Sequence, residues 1–111
     1  MARPCAISSI AALSSTYPTV AYKTTKAGMI AFIEQIARHN AEYGVRANVI
    51  CPGTVYTPLM EPMLRARGDG DLDLGLQRTL VKYPIGRLGD VADIARVALF
   101  LASDEAAFMT G

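Results

Sequence analysis

Val45-Arg46-Ala47-Asn48-Val49-Ile50-Cys51-Pro52-Gly53 is the stretch that decides the fold. A short apolar run, broken by Arg46 and Asn48, reads as a buried strand over Val45 to Cys51, and Pro52-Gly53 stops it. Just before it, Gly44 closes a long amphipathic segment and is placed as a left-handed residue after a helix. That helix reads from Thr19, a side chain suited to an N-cap, to Tyr43. Met29, Ile33, Ile36 and Asn40 follow one stripe of it, and Ile30, Ile33 and Ala37 a neighbouring one. Further upstream, Cys5 to Ile10 reads as a short, fully buried strand, and Ala11 to Pro18 as a loop rich in Ser and Thr. Buried strands alternating with an amphipathic helix indicate a parallel sheet.

Downstream of the Pro-Gly turn the chain is irregular from Thr57 to Gly89. Short helices are expected at Glu61 to Arg67 and Leu72 to Lys82, around a Gly/Asp cluster at Gly68 to Asp73. Asp90 then reads as an N-cap with Asp93 in the first turn. The helix it starts carries Val91, Ile94, Ala95, Val97, Ala98 and Leu101 on its buried side and ends near Ser103. Phe108 to Gly111 reads as the turn into a further strand. Two strands cannot make a doubly wound sheet alone. The expected fold class is therefore α/β, the C-terminal half of a Rossmann-like doubly wound parallel sheet, with residues 1–111 forming part of one domain.

Composition narrows the function. At 111 residues the chain is one domain at most, and a compact fold of this size would bury roughly 65% of its unfolded surface. Hydrophobic residues make up 51% of it, which argues against disorder. A net charge of +1, with basic and acidic residues interspersed, argues against nucleic acid as a partner. Cys5 and Cys51 are too few for a disulfide scaffold or a zinc site and read as reduced thiols of a cytoplasmic protein. No metal site is expected, no apolar run is long enough to cross a membrane, and the N-terminal apolar segment is too short for a signal peptide.

Chemistry concentrates at three residues. Tyr22 and Lys26, four apart on the long helix, project from one face about a turn apart. A free phenol has a pKa of about 10 and is a poor base at neutral pH; a nearby ammonium favours its phenolate, making it able to shuttle a proton. Ser9, thirteen residues before Tyr22, is placed to hydrogen-bond a substrate oxygen and hold it against the phenol. Taken alone, Tyr-x-x-x-Lys also describes a surface pair on any helix. Ser9, the spacing and the strand that follows favour the catalytic reading.

Four linked segments carry a resemblance. Ile7-Ser8-Ser9, Tyr22-Lys23-Thr24-Thr25-Lys26-Ala27, Arg46 through Pro58, and Pro84-Ile85-Gly86-Arg87-Leu88-Gly89-Asp90 through Glu105 resemble, in order and spacing, the compact short-chain dehydrogenase/reductase family. The resemblance implies an oxidoreductase using NAD or NADP to interconvert an alcohol and a ketone or aldehyde. Tyr22 is implied as the acid/base, Lys26 as its partner and a ligand of the nicotinamide ribose, and Ser9 as the group positioning the substrate. Pro52 and Gly53 would pass beside the nicotinamide, Val55 would meet its carboxamide through the backbone, and Thr57 would bond the carboxamide or a phosphate. A homodimer or tetramer is implied too, with Met29, Phe32, Ile33 and Ile36 of the long helix available for the contact.

The same resemblance implies that the dinucleotide-binding N-terminal part, with its Gly-rich turn, cofactor selector and fourth catalytic group, lies outside these residues. The chain by itself is then expected to be inactive, and an inert or helix-associating remnant is the alternative function. Other patterns carry less. Gly68-Asp69-Gly70 follows no strand and is no dinucleotide fingerprint. Gly86 to Gly89 matches an RNA-binding G-x-x-G clamp without its βααβ context. His39 reads as surface, and Met60 and Met63 as packing or pocket residues.

Overall fold

A computed structural model describes residues 1–15 and 18–111; positions 16 and 17 of the expected Ser/Thr-rich loop lie outside the described residues. The chain forms two compact units, one of Met1–Pro52 with Ile94–Gly111 and one of Gly53–Asp93.

In the first unit, β1 (Cys5–Ile7) pairs in parallel with β2 (Asn48–Ile50), Ala6 facing Val49. Between them runs α1 (Val20–Asn40), the crossover that parallel neighbours require. Alternation along the strands sends side chains to two faces. Ala6, Ala47 and Val49 meet Ile33, Ile36 and Ala37 of α1 on one face. Cys5 and Ile50 meet Ile94, Ala98 and Leu101 of α4 (Val91–Ala102), together with Ala106, on the other. Helices on both faces of a parallel pair are the doubly wound arrangement. Ala47, fully buried, has only a methyl group and lets α1 lie close to the sheet.

Several expectations are corrected in detail. Both strands are three residues long, and β1 is half-buried: Ile7 is exposed, and so is Ile10, the first residue of a 3-10 turn over Ile10–Ala12. The parallel ladder nevertheless continues past the named strands, from Asn48 N–H to Pro4 O (3.1 Å), Ser8 N–H to Ile50 O (2.7 Å) and Ile10 N–H to Pro52 O (3.1 Å). Thr19 is the N-cap of α1 by backbone shape, but its side chain makes no capping bond. At the other end the α-helix stops at Asn40, a 3-10 turn covers Ala41–Tyr43, and Gly44 takes the expected left-handed conformation (φ 74°). On α4 the covered stripe narrows to Ile94, Ala98 and Leu101, with Val91, Ala95 and Val97 exposed beside it. The expected turn at the C-terminus runs beside β2: Gly111 N–H donates to Ala47 O (2.8 Å), and Ala47 N–H to Thr110 Oγ1 (3.1 Å).

In the second unit, α2 (Glu61–Arg67) packs on α3 (Leu72–Leu80), which ends two residues before the expected Lys82. The turn between them uses Asp69 and Gly70 at positive φ, and Asp71 caps α3 by accepting from Leu74 N–H (3.1 Å). The approach is backbone-close: a Cβ on Gly75 would lie 1.7 Å from Leu64 O, and one on Gly68 1.9 Å from Asp71 O. Thr79, buried in the same contact, donates to Gly75 O (2.8 Å) and accepts from the Arg67 guanidinium (3.2 Å). Across the unit, Val55 forms a parallel bridge with Gly89.

Cys5 and Cys51 are free thiols, and burial pushes the Cys5 thiol up, away from the reactive thiolate. Among the described residues no helix is long and apolar enough to cross a membrane, and no group of His, Cys, Asp or Glu could hold a metal ion.

Candidate active site

In an open parallel sheet, functional groups gather where the strands end at their carboxyl side. β1 ends at Ile7, and Lys26 reaches it: its Nζ donates to Ile7 O at 3.0 Å. The next residue, Ser8, is buried and donates its hydroxyl to the main-chain oxygen of Lys26 at 2.7 Å. Residues 7 and 8 therefore grip Lys26 at both ends, by its ammonium and by its carbonyl. This fixes α1 against the strand end.

Tyr22 lies one turn earlier on α1, on its exposed side. Lys26 Nζ stands 5.6 Å from the centre of the Tyr22 ring, within the range of a cation–π contact. The helical spacing expected from sequence thus brings phenol and ammonium together. Ser9 follows directly on the segment tied to Lys26. Its Oγ accepts from Ala11 N–H (3.1 Å), capping the 3-10 turn. A hydroxyl that accepts still has its own proton to give, so Ser9 can donate to a substrate oxygen. Lys23, on the inner side of α1, donates from Nζ to Ala11 O (3.4 Å) and to Ser14 O, tying the helix to the loop after Ser9.

Pro52 is joined to the same strand end through its carbonyl and Ile10 N–H. Gly53, Val55 and Thr57 belong to the second unit. Gly53 is exposed, and the space its Cβ would take is lined by the Tyr83 ring, 3.2 Å away. Val55 sits opposite Gly89, with Gly89 N–H donating to Thr54 O (2.9 Å) and Tyr56 N–H to Gly89 O (2.8 Å). A residue bridged through its neighbours turns its own N–H and C=O the other way, and no described residue bonds to those of Val55. One donor and one acceptor side by side fit a carboxamide. Thr57 precedes a 3-10 turn over Pro58–Met60, and its hydroxyl makes no capping bond.

Nearby polar groups are otherwise engaged. The Tyr56 phenol donates to Glu61 (3.1 Å), and that hydrogen bond, then desolvation, then the Glu61 charge hold it up, away from ionisation. Asp93 binds Arg87 (2.6 Å) and raises its already high pKa. His39 is exposed, as expected. Ile33 is buried in the unit's own core, so of the apolar residues expected at an oligomer contact it is unavailable, whereas Phe32 is exposed. The sequence reading missed Ser8 and Tyr83. Ser8 had a signal, since a hydroxyl at the end of a buried run needs a partner; Tyr83 had none.

The family model described as enoyl-(acyl carrier protein) reductase matches residues 3–111. The chain belongs to the short-chain dehydrogenase/reductase family. It is 42% identical over 103 residues to the inactive 2-(S)-hydroxypropyl-CoM dehydrogenase 2 of Xanthobacter autotrophicus, covering 93% of this chain and 44% of that protein. It is also 42% identical over 90 residues to the 2-keto-3-deoxy-L-fuconate dehydrogenase of Xanthomonas campestris, covering 81% and 30%. Among solved structures, the ligand-free aldohexose dehydrogenase of Thermoplasma acidophilum superposes with a TM-score of 0.86 at 30% identity, over 99% of this chain and 45% of that one. An NAD+-bound xylitol dehydrogenase superposes at 0.83 and 29% identity, over 96% and 44%. The two solved structures have the Rossmann fold, and the chain spans less than half the length of each of these four proteins.

Proposed function

We propose that this chain carries the catalytic residues of an NAD(P)-dependent oxidoreductase interconverting an alcohol and a ketone or aldehyde. The observation that carries the reading is the double grip on Lys26 by Ile7 and Ser8, the two residues before Ser9, with its ammonium 5.6 Å from the Tyr22 ring. In the reducing direction, Ser9 donates a hydrogen bond to the carbonyl oxygen. Tyr22 then gives its phenolic proton to that oxygen, and the positive charge of Lys26 steadies the negative charge left on the phenolate. In the oxidising direction Tyr22 takes the proton back. The nicotinamide, when bound, gives or accepts the hydride at the substrate carbon. The amide group of Val55, to which no described residue bonds, and the bare Gly53 support its carboxamide and ring being held by this segment, with Pro52 and Thr57 as flanking contacts.

The test uses the protein expressed from its complete reading frame, assayed with NADH and NADPH against a panel of ketones and aldehydes. Tyr22→Phe is expected to lower turnover by about 10²- to 10⁴-fold with cofactor affinity nearly unchanged. Unchanged turnover would remove the role given to Tyr22. A second reading, a non-catalytic member, is favoured by one finding: the Xanthobacter relative is named as inactive. Absence of turnover together with intact folding would select it.

A further inference from the structure

Tyr83 stands 29 residues from Thr54 in sequence and grips it with both capacities of its hydroxyl. Thr54 N–H donates to the phenol oxygen at 2.8 Å, and the phenol O–H donates to Thr54 Oγ1 at 2.7 Å. The ring lies under Gly53, where a Cβ would come within 3.2 Å of its edge and 3.3 Å of its oxygen.

Tyr83 is itself anchored on both main-chain sides. Its N–H donates to Leu80 O (2.8 Å), and its carbonyl accepts from Gly86 N–H (2.9 Å). Gly89 separately holds Thr54 O and Tyr56 N–H. The segment Gly53 to Tyr56 is thus held by two residues, Tyr83 and Gly89. Thr54 has its amide, carbonyl and hydroxyl all engaged, while no described residue bonds the N–H or C=O of Val55.

From this we infer that Tyr83 is a positioning residue for nicotinamide binding: its phenol hydroxyl holds the Gly53-Thr54 turn so that Val55 presents its N–H and C=O to the carboxamide. The inference rests on the reading given under Proposed function. It adds a residue that touches neither cofactor nor substrate and acts through Thr54. The hydroxyl matters more than the ring, because the ring alone can fill the space beneath Gly53 but cannot fix the Thr54 amide.

Tyr83→Phe keeps that ring and removes only the hydroxyl. In the protein expressed from its complete reading frame, it is expected to weaken NADH or NADPH binding, read by fluorescence titration, by about three- to tenfold. The KM of the carbonyl substrate at saturating cofactor should stay within about twofold, because the loss falls on cofactor binding and not on substrate binding. Thr54→Val deletes one of the two bonds and reads the same effect should Tyr83→Phe not fold; about a twofold or greater weakening is expected. The double variant should bind no worse than Tyr83→Phe alone by more than the error, since both act through one contact.

A lower unfolding midpoint with unchanged cofactor affinity in Tyr83→Phe would make the residue merely structural and overturn the inference. Unchanged affinity in Thr54→Val, where that is the variant that folds, would do the same, as would fully multiplicative effects in the double variant. A wild-type protein that binds neither cofactor would instead overturn the functional reading itself, and this inference with it.

Discussion

Lys26 shows how one side chain can serve structure and chemistry together. Its ammonium bonds Ile7 O while standing over the Tyr22 ring, and its carbonyl takes the buried Ser8 hydroxyl. Replacing it by methionine keeps much of the apolar stem and removes the charge. Lys26→Met is therefore expected to lower turnover by about 10²-fold or more, as loss of an electrostatic partner at a reacting group commonly does; steady-state assay at saturating cofactor checks it. Tyr22 and Lys26 were legible in the sequence because a helix turns every 3.6 residues and so places them on one face. The contacts of Ser8 and Tyr83 could not be read there. Their partners, Lys26 O and Thr54, lie 18 and 29 residues away, and no local period encodes such a distance.

Among the elements, the helices were read more accurately than the strands. α2 occupies Glu61–Arg67 as expected, since Pro62 near its start and Gly68 at its end punctuate it locally. The strands are shorter than their apolar runs because a strand exists only where a neighbour answers its hydrogen bonds, and the answering carbonyls belong to distant residues. The pairing of α2 with α3 adds a test at this scale. Gly68 and Gly75 let the two backbones touch, and Gly75→Ala would push a methyl group into Leu64 O. A destabilisation of about 3 kcal/mol is expected, at the upper end of overpacking costs. Urea unfolding of the variant checks it, and a wild-type midpoint would show that the helices separate without cost.

At the scale of the whole molecule, the chain matches relatives over less than half of their length. Residues 1–111 on their own are accordingly expected to show no saturable binding of NADH or NADPH, since α/β oxidoreductases hold the pyrophosphate at the first strand-to-helix turn of the sheet. Isothermal titration with the 111-residue chain checks this, and micromolar affinity would contradict it. By itself, the sequence determined the α/β class, the crossover helix with its left-handed Gly44, and the Tyr22–Lys26 pair, because short-range periodicity and turn chemistry encode all three. The tertiary structure decided which helices cover which face of β1 and β2, that Ile33 is spent on the unit's own core, that Ser8 holds Lys26 and that Tyr83 holds Thr54. Those contacts join residues far apart in the chain, and only the closed fold brings their donors and acceptors within bonding distance.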